Sequence, residues 1–161
     1  MTVSTIYEER IWLNSWLTLL MGILIGAFSI IGLVQIFYGI PIGGRPESPV
    51  LYLGLALLFV FVYLNFSKLD IDISTERIEV RYGLVKKVIP MKEIVSYEPH
   101  IAGFYLYGGI GIRRGVDGSL AFTTSFGNSM KIHMRSGRPF VFSTNKPYEI
   151  VKAISLFIDG V

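Results

Sequence analysis

The feature that most constrains this chain is a stretch of 30 residues, Ile11 to Ile40, that contains no Asp, Glu, Lys or Arg. A second uncharged stretch runs from Ser48 to Ser67. The hydrocarbon core of a bilayer is about 30 Å thick and is crossed by roughly 20 apolar helical residues at about 1.5 Å each. Both stretches reach that length, and they place candidate spans at about residues 12–38 and 49–66. From Val50 to Phe66, twelve residues are Leu, Val or Phe. At roughly −0.3 to −0.6 kcal/mol each they favour insertion by about 4 to 7 kcal/mol, opposed mainly by Asn65 near one end. Two buried helices of a soluble protein would need a larger polar shell than the remaining chain supplies. A cleavable signal peptide fits less well, because its apolar region is about 7 to 15 residues long and ends at a small-residue site.

Trp12 and Trp16, spaced one helical turn apart beside Asn14 and Ser15, read as the interfacial end of the first span, with Tyr38 at the other interface. The connector from Gly39 to Pro49 holds three prolines and three glycines, which end one helix and start another. Residues 1–66 therefore read as an antiparallel transmembrane hairpin with both termini on one side. The connector carries a single cation, Arg45, and the N-terminal tail carries Arg10, whereas thirteen Lys or Arg follow the second span, Lys68 first. The positive-inside tendency puts both termini and the C-terminal domain in the cytoplasm of a multi-pass cell-membrane protein. In the first span, Gly22 and Gly26 have the small-xxx-small spacing that lets helix backbones approach closely. That spacing serves either packing on the second span, near Gly54 and Ala56, or a seam between two copies of the chain. No ionisable side chain lies inside either span, so the usual marks of an ion path are missing.

Beyond Asn65 the apolar period changes. In Arg77–Tyr82, Ile78, Val80 and Tyr82 share one face and the charged residues the other, which is the pattern of a half-buried strand. Leu69–Ile73 alternates similarly, and Gly83-Leu84 turns the chain into Val85–Pro90, where Pro90 stops the strand or sets it at an edge. Met130–Arg135 alternates again, turns near Ser136-Gly137 and returns through Pro139–Phe142. Shorter candidate strands lie at Ile94–Tyr97, Phe104–Tyr107, Ile110–Arg113 and Ser119–Thr124. Asn145 as cap, Pro147 in the first turn and Glu149 at the positive end of the dipole predict a closing helix. Its apolar face carries Ile150, Val151, Ile154, Phe157 and Ile158. The predicted fold class is α+β, a helical hairpin over 1–66 followed by a bent antiparallel sheet or barrel over 67–161 with a C-terminal amphipathic helix.

Two N-terminal spans followed by RIEVRYGLVKKVIPMKEI, with Gly83 at the turn, Ile89-Pro90 closing the second strand and Ile94 beyond it, resemble the bacterial pleckstrin-homology-like (bPH) domain proteins. The resemblance covers most of residues 67–161. It implies a PH-like sheet barrel capped by a helix and held at a membrane, and it supplies no catalytic residues. The first hairpin of eukaryotic PH domains is often the inositol-phosphate site, and the corresponding hairpin carries Arg77, Arg81, Lys86 and Lys87 without a pattern specific to that ligand.

Catalytic chemistry has little support in the residues. The glycines from Gly108 to Gly115 lack the spacing of a dinucleotide loop and the Lys-Ser/Thr of a Walker loop, so they read as a turn into a strand bearing Arg113 and Arg114. His100, in an expected loop, and His133, on a polar strand face beside Lys131 and Arg135, are the only histidines, and neither has metal-ligand spacing. There is no cysteine and no G-x-S-x-G elbow. From Ser67 onward thirteen cations face nine acids. Each cation held near an anionic leaflet contributes about 1 kcal/mol. Arg77, Arg81, Lys86, Lys87 and Lys92 are thus the candidate contacts for lipid headgroups or a partner, the alternative being a solvated strand face. The expectation is a non-enzymatic membrane-anchored module without metal or cofactor, whose partners are the bilayer, a second copy or a membrane protein, and not nucleic acid. The alternative is a small accessory subunit of a membrane transport or secretion complex.

Overall fold

The computed structural model describes residues 5–39 and 48–158, and the chain forms two compact units. One spans Asn14–Ser67 and the other joins the segment up to Leu13 with everything from Lys68 onward. Arg45 and most of the connector lie outside the described residues.

The first unit is a helical pair, α1 (Ser15–Tyr38) and α2 (Pro49–Phe66). At about 1.5 Å per residue these measure roughly 36 and 27 Å, enough to cross a hydrocarbon core. Asn14 starts α1, its side chain accepting a hydrogen bond from the Trp16 N–H at 3.4 Å. Gly39 ends it with φ +63°, and its N–H donates to the Gln35 carbonyl. Pro49 sits in the first turn of α2, where its missing N–H is not needed. Phe28 stacks on Tyr52 and Phe59 with ring centroids 6.4 and 5.6 Å away. Both helices are long and apolar enough to cross a membrane, yet only 6% of each apolar window is buried. A core helix of a soluble protein would be mostly buried; these are apolar all round and largely uncovered.

The second unit begins before the helices. Residues 5–12, placed with the hairpin in the sequence reading, form strand β1 (Thr5–Trp12), which pairs antiparallel with β2 (Lys68–Ser74). Trp12 is thus a strand residue, opposite Lys68, and does not share a helical turn with Trp16. Next come β3 (Arg77–Tyr82) and β4 (Val85–Pro90), giving a four-stranded sheet in the order β1-β2-β3-β4. Gly83, at φ +59°, occupies the tight β3–β4 turn, a conformation that penalises any Cβ. Leu69, Ile71, Ile73, Ile78, Val80 and Tyr82 are all buried on the inner face, as their alternation requires.

A 3-10 turn at Met91–Glu93 leads to the second sheet: β5 (Ile94–Ala102), β6 (Gly111–Arg114), β7 (Leu120–Thr123), β8 (Gly127–Met134) and β9 (Phe140–Ser143), in the order β5-β8-β9-β7-β6. Two sheets, not one bent sheet, therefore make the unit, and the second is mixed, because β7 runs parallel to β9. That pairing sits where β9 is central and buried on both faces, the setting in which parallel neighbours are usual. Phe104–Tyr107, expected as a strand, is one helical turn, α3, stopped by Gly108 at φ +66°. His100, expected in a loop, lies within β5. Tyr82 from the first sheet meets Phe122 edge-on at 6.3 Å, and Phe122 meets Phe140 at 5.0 Å, so an aromatic core bridges the sheets.

The closing helix α4 (Pro147–Ile158) buries Ile150, Ala153 and Ile154 as its periodicity demands, while the side chain of Ile158 lies outside the described set. Its start is one residue later than expected. The Lys146 carbonyl accepts the first helical bonds, from Glu149 and Ile150, and Asn145 instead gives its N–H to Glu9 at 2.9 Å. Glu9 also accepts from the hydroxyls of Tyr7 at 2.8 Å and Thr144 at 2.6 Å. One carboxylate thus ties the N-terminal strand to the entrance of the C-terminal helix. Burial, then the neighbouring Glu9 charge, pushes the Tyr7 phenol upward.

Candidate functional site

The register of the first sheet sorts the five candidate cations. The chain leaves β1 at Trp12 for α1 and re-enters at Lys68 from α2, and these two residues are partners. The β3–β4 turn lies at that same end, because Leu69 pairs with Tyr82 and Tyr82 with Val85. Lys86, opposite Arg81, and Lys87, opposite Val80, are in the adjoining rows. Arg77 pairs with Pro90 at the far end, five residues or roughly 17 Å away at about 3.3 Å per residue. Lys92 lies there too, and with Arg77 it lines an open groove of about 540 Å³ beside Thr75 and Glu76. The register therefore puts Lys68, Arg81, Lys86 and Lys87 toward one end of the sheet, with Lys86 on the outer face beside Arg81 and Lys87 on the face of buried Val80, and leaves Arg77 and Lys92 at the other end.

Counter-charges further divide them. On the outer face Glu79 stands between Arg77 and Arg81, at 3.6 and 2.6 Å, and these cations hold its carboxyl below the usual range despite partial burial. Arg10 pairs with Asp70 at 2.5 Å in the same row as Arg81 and Lys86. The outer face is a chequerboard of both signs. No ion pair is found for Lys86 or Lys87 among the described residues, and they adjoin exposed Leu84 and Val85 at the turn.

The second sheet contributes to the same end. The Tyr82 hydroxyl, its pKa pushed up to about 12 by burial, donates to the Thr123 carbonyl at 3.3 Å. Ile11, next to Trp12, lines a cavity of about 300 Å³ with Ser125, Phe126, Asn128 and Thr144. The β7–β8 turn thus sits beside the point where β1 leaves the sheet.

Behind it, α3 is fastened by its last residue. Tyr107 is buried with Ala102, Ala121 and Val141 on the outer face of the second sheet. Its hydroxyl lies 3.3 Å from both His100 Nε2 and Ser119 Oγ. Ser119 donates to Asp117 at 2.6 Å, and Lys131 donates to the other Asp117 oxygen at 2.7 Å. Burial pushes the Asp117 carboxyl up, but the bonds from Lys131 and Ser119 outweigh it and hold it well below the usual carboxylate range. Burial, then the Lys131 charge, lowers the His100 pKa. A Cβ on Gly115 would collide with Asp117 and lie 2.8 Å from both Ser119 and Tyr107, so the glycine is what lets this network close. Ser119 is fully buried and its hydroxyl is spent on Asp117. The network holds α3 in place. His133 sits on the neighbouring strand, half-exposed, 3.9 Å from Glu98. Among the described residues no three His, Cys, Asp or Glu side chains gather as a metal site.

In the helical unit, a Cβ on Gly22, Gly26 or Gly54 would meet no atom of the described residues within 4 Å. The close approach instead falls at Gly32, where a Cβ would lie 2.9 Å from Leu53. The packing on α2 that was one of two readings of Gly22 and Gly26 is thus made about two to three turns further on, and their own face is open. Gln35, on the packed side, is buried, and neither of its amide atoms has a hydrogen-bond partner among the described residues.

Sequence reasoning missed β1, α3 and the Tyr107 network. The alternation of Tyr7, Glu9 and Ile11 was the available signal for β1, masked by a charged residue at an inward position. No family model matches the chain, and no curated protein sequence matches it either.

Proposed function

We propose that this chain is a membrane-anchored, non-enzymatic PH-like module. Its two helices cross the cell membrane, and its sheet unit works at the cytoplasmic surface by contacting anionic lipid headgroups. The observation that carries the reading is the pairing of Trp12 with Lys68, the residues through which the chain leaves for α1 and returns from α2. Strands held in register on both sides of a helical pair keep the two outer ends of that pair on one side of a bilayer. The same register puts Lys68, Lys86 and Lys87 at the end of the sheet nearest those helix starts. Cations attract an anionic leaflet within a Debye length of about 8 to 10 Å. Lys86 and Lys87 fall inside that distance of the strand end; Arg77 and Lys92 do not.

The test uses the full chain in nanodiscs of anionic or zwitterionic lipid, read by hydrogen exchange. Amides of residues 82–88 should be better protected in the anionic discs at low salt, and the difference should vanish at high salt. Lys86→Glu with Lys87→Glu should abolish it, at about 1 kcal/mol per lysine. Equal protection in both lipids would overturn the headgroup reading and favour a protein partner. A role as accessory subunit in a larger membrane complex draws on one observation, the open face at Gly22 and Gly26, which no atom of α2 approaches.

A further inference from the structure

A cluster of exposed aromatic side chains lies at the same end of the sheet unit. Phe104 is 58% exposed, Tyr105 96% and Phe126 45%. Phe104 packs edge-on against Tyr105 at 6.3 Å and Phe126 at 5.8 Å. Isolated exposed aromatics are ordinary, but three linked through Phe104 form a patch that water does not favour. The patch is not a loose loop. Within the one turn of α3, Tyr107 is buried and hydrogen-bonded while Phe104 and Tyr105 stand outside, and Leu106 is fixed through its carbonyl, which accepts from the Val116 N–H at 3.0 Å. Phe126 is placed by the β7–β8 turn, and it shares its cavity with Ile11, four residues before α1 begins.

Its surroundings fit a lipid boundary. Trp12, 62% exposed, ends β1 at this same end. The Arg113 guanidinium lies along the loop that follows α3, with Nε donating to the Ile110 carbonyl at 3.3 Å. Lys68, Lys86 and Lys87 stand across the first sheet. Exposed aromatic rings at the end of the sheet unit where the chain departs for apolar helices, an end that also carries Lys68, Lys86 and Lys87, match the headgroup boundary, which takes amphipathic rings and attracts positive charge.

We propose that Phe104, Tyr105 and Phe126 are an interfacial anchor, inserted at the headgroup–acyl boundary of the bilayer that α1 and α2 cross. The proposal rests on the membrane reading above and adds a second, apolar contact that docks the sheet unit on the lipid surface.

The chain has no cysteine, so single labels need no background removal. Full-length Tyr105→Cys and Phe126→Cys carry an environment-sensitive fluorophore in nanodiscs. Val95→Cys, exposed on β5 seven residues before Ala102, is the water-side control, and Ile23→Cys, exposed on α1, reports the span. The anchor requires a blue-shifted emission at 105 and 126, quenched by lipids labelled near the headgroup, with an unshifted label at 95. Labels at 105 and 126 matching the one at 95, while the label at 23 is quenched by deep-labelled lipids, would overturn the anchor and leave the spans intact. A blue shift at 105 that headgroup-labelled lipids do not quench would assign the patch to a second copy and overturn the lipid contact. A label at 23 in water would remove the membrane reading and the anchor together.

Discussion

The helical unit and the sheet unit bury their polar groups under different rules. In the sheet unit Ser74, Ser119, Ser129, Ser143 and Thr144 are buried and hydrogen-bonded, with the Thr124 hydroxyl as the exception. In the helical unit the buried Gln35 amide has no partner, and large apolar side chains such as Leu19, Ile30 and Phe61 are exposed. Water drives the sheets together, and it charges fully for each polar group they enclose. For helices that lie in lipid, as proposed for this pair, that driving force is missing, and close contact depends on a small residue such as Gly32 against Leu53.

Removing core volume should expose the contrast most sharply. Phe142 is fully buried and stacks on Phe140 at 5.8 Å, so Phe142→Ala should destabilise the sheet unit by about 3 to 5 kcal/mol. Hydrogen exchange on the full chain in detergent should show β8 and β9 opening while α1 and α2 keep their protection. If all elements open together, the two units are one cooperative structure and the comparison fails. A smaller effect of opposite sign is expected in the helical unit. Gln35→Leu removes an unpaired buried amide and should stabilise the helical pair by about 1 to 3 kcal/mol in a denaturant titration with α-helical circular dichroism. A loss of stability instead would mean that the amide has a partner in the folded helical pair.

The smallest effect is a pH dependence. The folded His100 pKa lies below the ordinary value of about 6.5. Between the two values the unfolded chain binds more protons, so this contribution is full above the unfolded pKa and is lost as pH falls through the folded one. The thermal midpoint of the sheet unit should therefore decline from pH 7 toward pH 5, and His100→Gln should flatten that decline. An unchanged slope in the variant would assign the decline to other groups. The Asp117 contribution has the same sign but falls away only in stronger acid, since its carboxyl is held down by Lys131 and Ser119.

Much of the fold was legible because side-chain periodicity is local. Leu69, Ile71 and Ile73 marked β2, and Ile150 and Ile154 marked α4, without reference to any partner. The candidate site was legible only as a set of cations. Which of them stand together depended on register, and register separated Lys86 and Lys87 from Arg77 and Lys92. The aromatic patch was invisible because Phe104–Tyr107 has strand-forming side chains, whereas Gly103 and Gly108 and the burial of Tyr107 make it a helical turn.

Where the chain is apolar enough for lipid, and where it alternates between core and water, could be read from the residues alone, since both follow from the spacing of side chains along a few turns or strand residues. The tertiary structure alone decided that the helices interrupt a sheet, with Arg10 meeting Asp70 sixty residues away, and that β7 and β9 run parallel. Pairing partners are chosen by the burial and hydrogen bonds of whole faces, and no local window contains both members of such a pair.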